Sequence, residues 1–485
     1  MPLSYSKCNK RSAALIAGIS SEELLRHWPD SFVVRGDSAK FLKYLPYASV
    51  SRSSLAPAFN WQIELRKEIQ GLKLSLFSRT RYVAKVLQQN GLWRESKQCL
   101  DRNLRIARGI EVALAKDDLA QYFFFQRDFE RDIIWRQAAR AVARRFRGGQ
   151  SKEIIARTWL GCAEAYRHRA QYGKALSSFR NAARMYTRLH LDDKAGYSLV
   201  GVAGIFRMEG MVQDAETSYR RAAVLLRRGR DLPGLLYVKW CIAELHKHRG
   251  AFAIARDKYE EVHAQAFGMG NQTLAAWAVW GKAEIARLVG VLPLAIHLYE
   301  SARYGFYRRD ISGQAWALEG LSQCAIANGV SPLSSLRDAR DKFRRTRGRF
   351  GLAAVTLNAI KYSLARDRLD LCRRQLRSIR FAKLARKESA HLALLKAICS
   401  ARLSEPSADV TFDRAFKLYT QLDMKHGFVQ CVAIACNERP TWPSTNKRKR
   451  EVKRAINLAV RNGYREIRLL RNLPLPKGSE LPFFY

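Results

Sequence analysis

Acidic side chains are scarce in this chain: 43 aspartates and glutamates stand against 86 lysines and arginines, a formal net charge of +43. Such a field favours polyanionic partners, nucleic acid first, then an anionic membrane surface or an acidic protein. Long apolar runs are missing too. None approaches the roughly eighteen residues that a membrane span needs. Near the start, Lys7, Lys10 and Arg11 precede only the short apolar stretch from Ala13 to Ile19, and Glu22 and Glu23 follow it. That is too little for a secretory signal, and a cytoplasmic location is expected. The nine cysteines include no CxxC pair, which argues against a zinc or disulfide framework and for buried free thiols. No phosphate-binding GxxxxGK[ST], no HExxH, no GxSxG and no calcium loop is present, and the histidines are scattered. No enzyme activity, metal or cofactor is therefore expected.

The positive charge is uneven. Residues 331–485 hold 34 basic against 13 acidic residues, close to half of the net charge, whereas residues 151–330 hold 25 against 16. The stretch Leu119–Phe146 has an apolar period that reads as a single long helix, and Arg136, Arg140, Arg144 and Arg147 follow one helical face along and just past its end. Arg340, Arg344 and Arg347 form a second stripe, and Arg373, Arg377 and Arg380 a third. Lys447, Arg448, Lys449 and Arg450 open a basic amphipathic helix that runs to about Asn462. Those ten residues, from Arg340 to Arg450, are the candidate nucleic-acid contacts.

What the chain does have is a register. Ala175, Ala215, Ala255 and Ala295 recur every forty residues, and four positions after each comes an aromatic: Phe179, Tyr219, Tyr259, Tyr299. Three further on stand Ala182, Ala222, Val262 and Ala302, and twelve before each marker stand Ala163, Ala203, Ala243 and Ala283. An alanine where two antiparallel helices cross lets their backbones approach, and an aromatic one turn later fills the space beside it. Gly210, Gly250 and Gly290, with Ala170 in the first unit, fall where a left-handed residue would end the first helix.

This pattern resembles the tetratricopeptide repeat, most closely at Trp159, Tyr166, Ala175, Phe179 and Ala182. The forty-residue step, against the usual thirty-four, is similar to long-helix members of that group. The resemblance implies an all-α solenoid of antiparallel helix pairs with degenerate terminal repeats, and a concave face lined by first-helix positions two, five, nine, twelve and thirteen. Those positions supply an aromatic series, Tyr197, Tyr237, Trp240, Trp277, Trp280 and Trp316, beside a cationic series, Arg167, Arg207, Lys247 and Arg287. Glu164, Glu244 and Glu284 precede three of the cations. The aromatics either hold a ligand or pack between repeats.

The expected organisation is an N-terminal extension (1–58), a helical region with a degenerate repeat (59–150), a repeat core (151–345) and degenerate basic repeats (346–437). A linker containing Pro440 and Pro443 (438–446) and a basic helix with its tail (447–485) complete it. A fifth unit echoes the fourth through Trp316, Gly320 and Gly329, with Ser334 at the marker position, and beyond it the markers are lost. The function expected from these features is a scaffold that takes a protein or peptide in its groove and touches nucleic acid or a nucleoprotein through its basic regions, near a nucleoid or nucleus if so. The alternatives are a peptide-sensing regulator with no nucleic-acid contact, and an enzyme whose site no motif announces.

Overall fold

A computed structural model describes residues 75–89, 92–307, 310–379, 386–466 and 470. Among them are twenty α-helices and no strand. The expected extension 1–58, Arg380 and the tail from 471 lie outside the described residues. The chain divides into two compact units, residues 1–191 and 192–485, and this boundary falls inside the expected repeat core.

The first unit contains α1 (Leu76–Gln89), α2 (Trp93–Ile106), α3 (Glu111–Phe125), α4 (Phe129–Ala143), α5 (Gly149–His168) and α6 (Tyr172–Arg188). The single long helix expected over Leu119–Phe146 is two helices. Arg127 turns into the left-handed region (φ 59°), and the carboxylate of Asp128 accepts the Arg131 N–H to start α4. The arginine face beyond that break is not a solvated stripe throughout. Arg136 is buried, donating to Asp132 (2.8 Å) and Asp117 (3.0 Å), and a Cβ on Gly161 would sit 1.9 Å from its guanidinium carbon. Arg140 is buried over the Trp159 ring, 3.4 Å from its centre. Only Arg144 and Arg147 of that face are exposed.

The second unit begins with α7 (Asp192–Met208), α8 (Val212–Arg228), α9 (Leu232–Arg249), α10 (Phe252–Gly268), α11 (Gln272–Leu288) and α12 (Leu292–Gly305). It continues through α13 (Ile311–Ala327), α14 (Leu333–Arg345), α15 (Arg349–Ala365), α16 (Leu369–Ser378), α17 (Arg386–Arg402), α18 (Ala408–Gln421), α19 (Lys425–Glu438) and α20 (Asn446–Asn462). The register is the core. All four marker alanines are completely buried, and Phe179, Tyr219, Tyr259 and Tyr299 expose 1% or less. Each such ring contributes about 1.5–3 kcal/mol by leaving water. A Cβ on Gly281 would lie 2.5 Å from the Tyr259 ring, so that glycine is what lets α11 rest on α10. The turn glycines do adopt the left-handed conformation: Gly210, Gly250, Gly290 and Gly329 have φ between 69° and 86°, and Ala170 takes 56° in the first unit. A residue with a Cβ costs roughly 1–2 kcal/mol there.

Beyond the fourth unit the markers change phase. Leu336 and Ala339 fill the marker face of α14, while Ala408, Phe412 and Ala415 restore the full small–aromatic–small spacing in α18, all three completely buried. The expected linker is also part of the core. Trp442 is 1% exposed, opens a short 3-10 turn and stacks on Phe416 at 5.0 Å.

The first helices of successive pairs form the inner face of this unit, and it closes on itself. Helix α19 reaches α9, Phe252 packs edge-on to His426 (5.1 Å), and the Tyr464 hydroxyl donates to the Gly250 carbonyl (3.0 Å). Arg249 pairs with Asp423 across 174 residues of sequence.

Candidate functional site: the inner face of the second unit

The aromatic series is an interlocked wall. Tyr237 stacks on Trp240 (6.0 Å), and Trp240 meets Trp277 edge to face (5.9 Å). Trp277 meets Trp280 (5.5 Å), which meets Trp316 (6.3 Å). Trp277 also abuts Phe306, just past the end of α12, and Trp316 abuts Phe343 of α14. The indole N–H of Trp240 donates to the Trp277 carbonyl and that of Trp277 to Asp310. The rings thus spend much of their surface on the neighbouring repeat. Tyr237, 41% exposed, is the open end of the series, and Tyr197 is half-buried.

Two of the cations beside this wall are paired, whereas the Arg207 Nε–H on α7 has no hydrogen-bond partner. Lys247 contacts Glu244 at 2.6 Å and Arg287 contacts Glu284 at 3.1 Å. All four are at least nine-tenths buried, and the hydroxyls of Tyr259 and Tyr299 donate to Glu244 and Glu284. Burial pushes the Glu284 carboxyl up, but Arg287, Lys247 and the Tyr299 hydrogen bond outweigh it and hold it at about 2. The opposite balance governs Glu319, which burial and the charge of Glu284 raise, although Asn358 and Gln323 donate to it. Burial and Arg287 bring Lys361 down to about 8. Arg167, the first cation of the series, belongs to the other unit, where it pairs with Glu164 at 2.6 Å.

Of the wall only Trp280 and Trp316, and of these charged groups Lys247, Glu284, Arg287, Glu319 and Lys361, border a cleft of about 180 Å³ enclosed by α9, α11, α13, α15, α17 and α19. Small-molecule pockets are typically about 300–1,000 Å³, so the space suits one residue or a chain end rather than a large ligand. Two polar atoms of its lining are buried without a hydrogen-bond partner, the Trp280 indole N–H and one carboxylate oxygen of Glu388. Lys247 lies 4.5 Å from the Trp280 ring centre. His248 and His391 are driven toward the neutral form, first by burial and then by Lys387. Lys387, Glu388 and His391 belong to α17, which carries no register signal, and sequence reasoning missed them. Among the described residues no group of three or more His, Cys, Asp or Glu gathers as a metal site, and no helix is long and apolar enough to cross a membrane.

The candidate nucleic-acid contacts lie elsewhere and do not form one site. Arg340 is half-buried on α14, Arg344 and Arg347 are exposed, and Arg373 and Arg377 are exposed on α16. Lys447, Lys449 and Arg450 are exposed at the start of α20. Arg448 differs from them: it donates to Asp409 (2.9 Å) and lies over the Trp442 ring (5.1 Å), pinning α20 to α18. Along α20, Arg450, Lys453, Arg454 and Arg461 border a shallow groove with no carboxylate in its lining.

No family model and no curated protein matches the chain. Among solved structures it is similar to the Rap conjugation gene regulator of the plasmid pLS20 in complex with the Phr* peptide, at 12% identity and a TM-score of 0.49, covering 65% of this chain and 97% of that one. It is similar to aspartyl phosphate phosphatase F from Bacillus subtilis, at 12% identity and 0.48, covering 73% and 91%. The apo quorum sensor NprR from B. thuringiensis gives 12% and 0.41, covering 81% and 99%. The tetratricopeptide-like, all-helical repeat fold rests on the register and the packed helix pairs of this chain itself.

Proposed function

We propose that this chain is a peptide-sensing regulatory repeat protein that works by binding, in the cytoplasm, with the inner face of its second unit as the sensor. The observation that supports this is the cleft: a small, ring-enclosed space whose lining keeps an indole donor and a carboxylate acceptor unpaired beside Lys247, Arg287 and Lys387. A buried polar atom left without a partner costs about 1–3 kcal/mol. A peptide presenting both a donor and an acceptor would recover that cost here, and the extended form of a short peptide suits a repeat groove. That the pLS20 regulator carries a peptide is a fact about that protein; the proposal stands on this cleft.

The test is a titration of the full chain with pools of short synthetic peptides, followed by tryptophan emission and by melting temperature. Trp280 borders the cleft, so a bound peptide should shift the emission and raise the melting temperature, and Trp280→Phe should blunt the optical response. If no pool changes either signal, the sensor reading fails.

A second reading, contact with nucleic acid, is favoured by one observation. The first five residues of α20 include Lys447, Arg448, Lys449 and Arg450 and no acid. Cations at a helix start oppose the macrodipole by about 0.3–1 kcal/mol each, and an anionic partner such as a phosphate backbone would relieve that.

A further inference from the structure

The cations at position twelve of the repeats follow a rule with one exception. In three units a glutamate three residues ahead neutralises the cation: Glu164 with Arg167 (2.6 Å), Glu244 with Lys247 (2.6 Å) and Glu284 with Arg287 (3.1 Å). In the remaining unit, on α7, that place is Gly204, and its cation is Arg207. The Arg207 Nε–H is buried and has no hydrogen-bond partner. A Cβ added at Gly204 would meet nothing within 4 Å. The glutamate's seat is therefore open as well as empty of any side chain.

The strongest electrostatic neighbours of Arg207 include one carboxylate. The carboxylate that acts on Arg207 is Glu244, which already contacts Lys247 and accepts the Tyr259 hydroxyl. One carboxylate between two cations leaves one positive charge over. The other groups facing Arg207 are Tyr219, Tyr237, Cys241 and His248. Burial pushes the Cys241 thiol up to about 11 and raises Tyr219, and it drives His248 toward the neutral form, so none of these three supplies an anion. A guanidinium held beside a carboxylate-sized seat is a strong and directional anchor, because its planar N–H fork matches carboxylate geometry.

We infer that Arg207 and the open seat at Gly204 form an anchor for a carboxylate of the bound peptide, supplied by its C-terminus or by an acidic side chain, which takes the place that glutamate fills in the sister units. This rests on the peptide-sensing reading and names the chemistry of its ligand. It also sets a partner's sign: an otherwise polycationic protein would select peptides carrying at least one negative charge at this point.

The experiment uses the full chain and two pools of random pentapeptides, one with free C-termini, the other amidated and free of Asp and Glu. Retained species are identified by mass spectrometry after equilibrium selection, and the strongest are titrated by calorimetry. The wild type should retain the carboxylate-bearing pool at least tenfold more tightly than the other. Gly204→Glu refills the seat from within, so it should melt higher than wild type and yet lose that binding by tenfold or more. Arg207→Gln keeps most of the side chain's length without its charge; it should lose the binding equally and decides the matter if the first variant does not fold. If the wild type binds both pools alike, or both variants bind the same peptides as tightly as wild type, the anchor is wrong while peptide sensing stands. If the wild type retains neither pool, the sensor reading falls and the anchor with it.

Discussion

The buried pair Glu284–Arg287 offers the sharpest test of how this fold is held. Both side chains are at least nine-tenths buried, 3.1 Å apart, with the Tyr299 hydroxyl bonded to the glutamate and Arg287 Nε donating to the Tyr299 oxygen at 3.2 Å. Arg287→Met should therefore destabilise the second unit by about 3–5 kcal/mol, the cost of leaving a buried charge unpaired. Adding Glu284→Leu should recover most of that loss, since a well-packed apolar replacement of a whole buried pair is often near neutral. The acid limb carries a sign. Glu284 is held at about 2, below its ordinary value of 4.5, so in the wild type the pair's contribution is complete above about pH 4.5 and fades as pH falls toward 2. In Arg287→Met the carboxyl loses its main stabilising charge and its pKa rises. The variant's deficit should then be largest near neutrality and shrink as acid protonates the carboxyl. Urea denaturation followed by helical circular dichroism between pH 4 and 8 reads both effects. A single variant that loses under about 1 kcal/mol, or a deficit that grows in acid, would refute the account.

Three further outcomes are expected. Gly281→Ala places a Cβ 2.5 Å from the Tyr259 ring and should destabilise by about 1–3 kcal/mol through overpacking, which a shift in urea midpoint would register. Arg136→Met removes the partner of the buried Asp132 and one of the two arginines that hold Asp117 and should cost about 3–5 kcal/mol, whereas Arg144→Ala on the exposed part of the same face should stay within about 0.5 kcal/mol; equal effects would overturn the distinction. If the α20 cations contact phosphates, binding to RNA or DNA should weaken steeply from about 50 to 200 mM salt, and neutralising Lys447, Lys449 and Arg450 together should flatten the log–log slope by about three units. A polymer affinity no tighter than about 100 μM would assign that charge elsewhere.

Most of the fold was legible because its rule is local. A helix crossing needs a small residue, a ring one turn on and a left-handed residue at the turn, and four units write that rule in the same phase. The reading loses it after Ala295 because element lengths change: the second helices shorten from 17 residues in α8 and α10 to 14 in α12 and 13 in α14. Ala408, Phe412 and Ala415 obey the same spacing in α18, out of step with a forty-residue count. Leu336 replaces an aromatic in α14, where Phe343 of the same helix fills space against Gly351 instead. The break at Arg127 was hidden because an apolar period continues on both sides of it.

The site was legible only in part, and the reason is burial. At sequence level an i, i+3 pair of Glu and Arg reads as a surface contact worth about 0.2–0.5 kcal/mol. Buried, as in Glu244–Lys247 and Glu284–Arg287, the same spacing becomes a desolvated network, and on α7 the missing partner at Gly204 leaves a buried Arg207 N–H unpaired. Whether a first-helix face lines a groove open to solvent or a closed ring depends on where the chain returns. Here that is decided by contacts such as Tyr464 to Gly250, which no periodicity announces. The same return explains why Lys387, Glu388 and His391, far along the chain and outside the register, share a cleft with Lys247 and Trp280. It also divides the basic residues by role. Arg448 has carboxylates and a ring within reach and serves as a bolt, while its neighbours Lys447, Lys449 and Arg450 face solvent. A run of like charges in sequence is thus one residue of structure and three of surface, and only the three remain available to a partner.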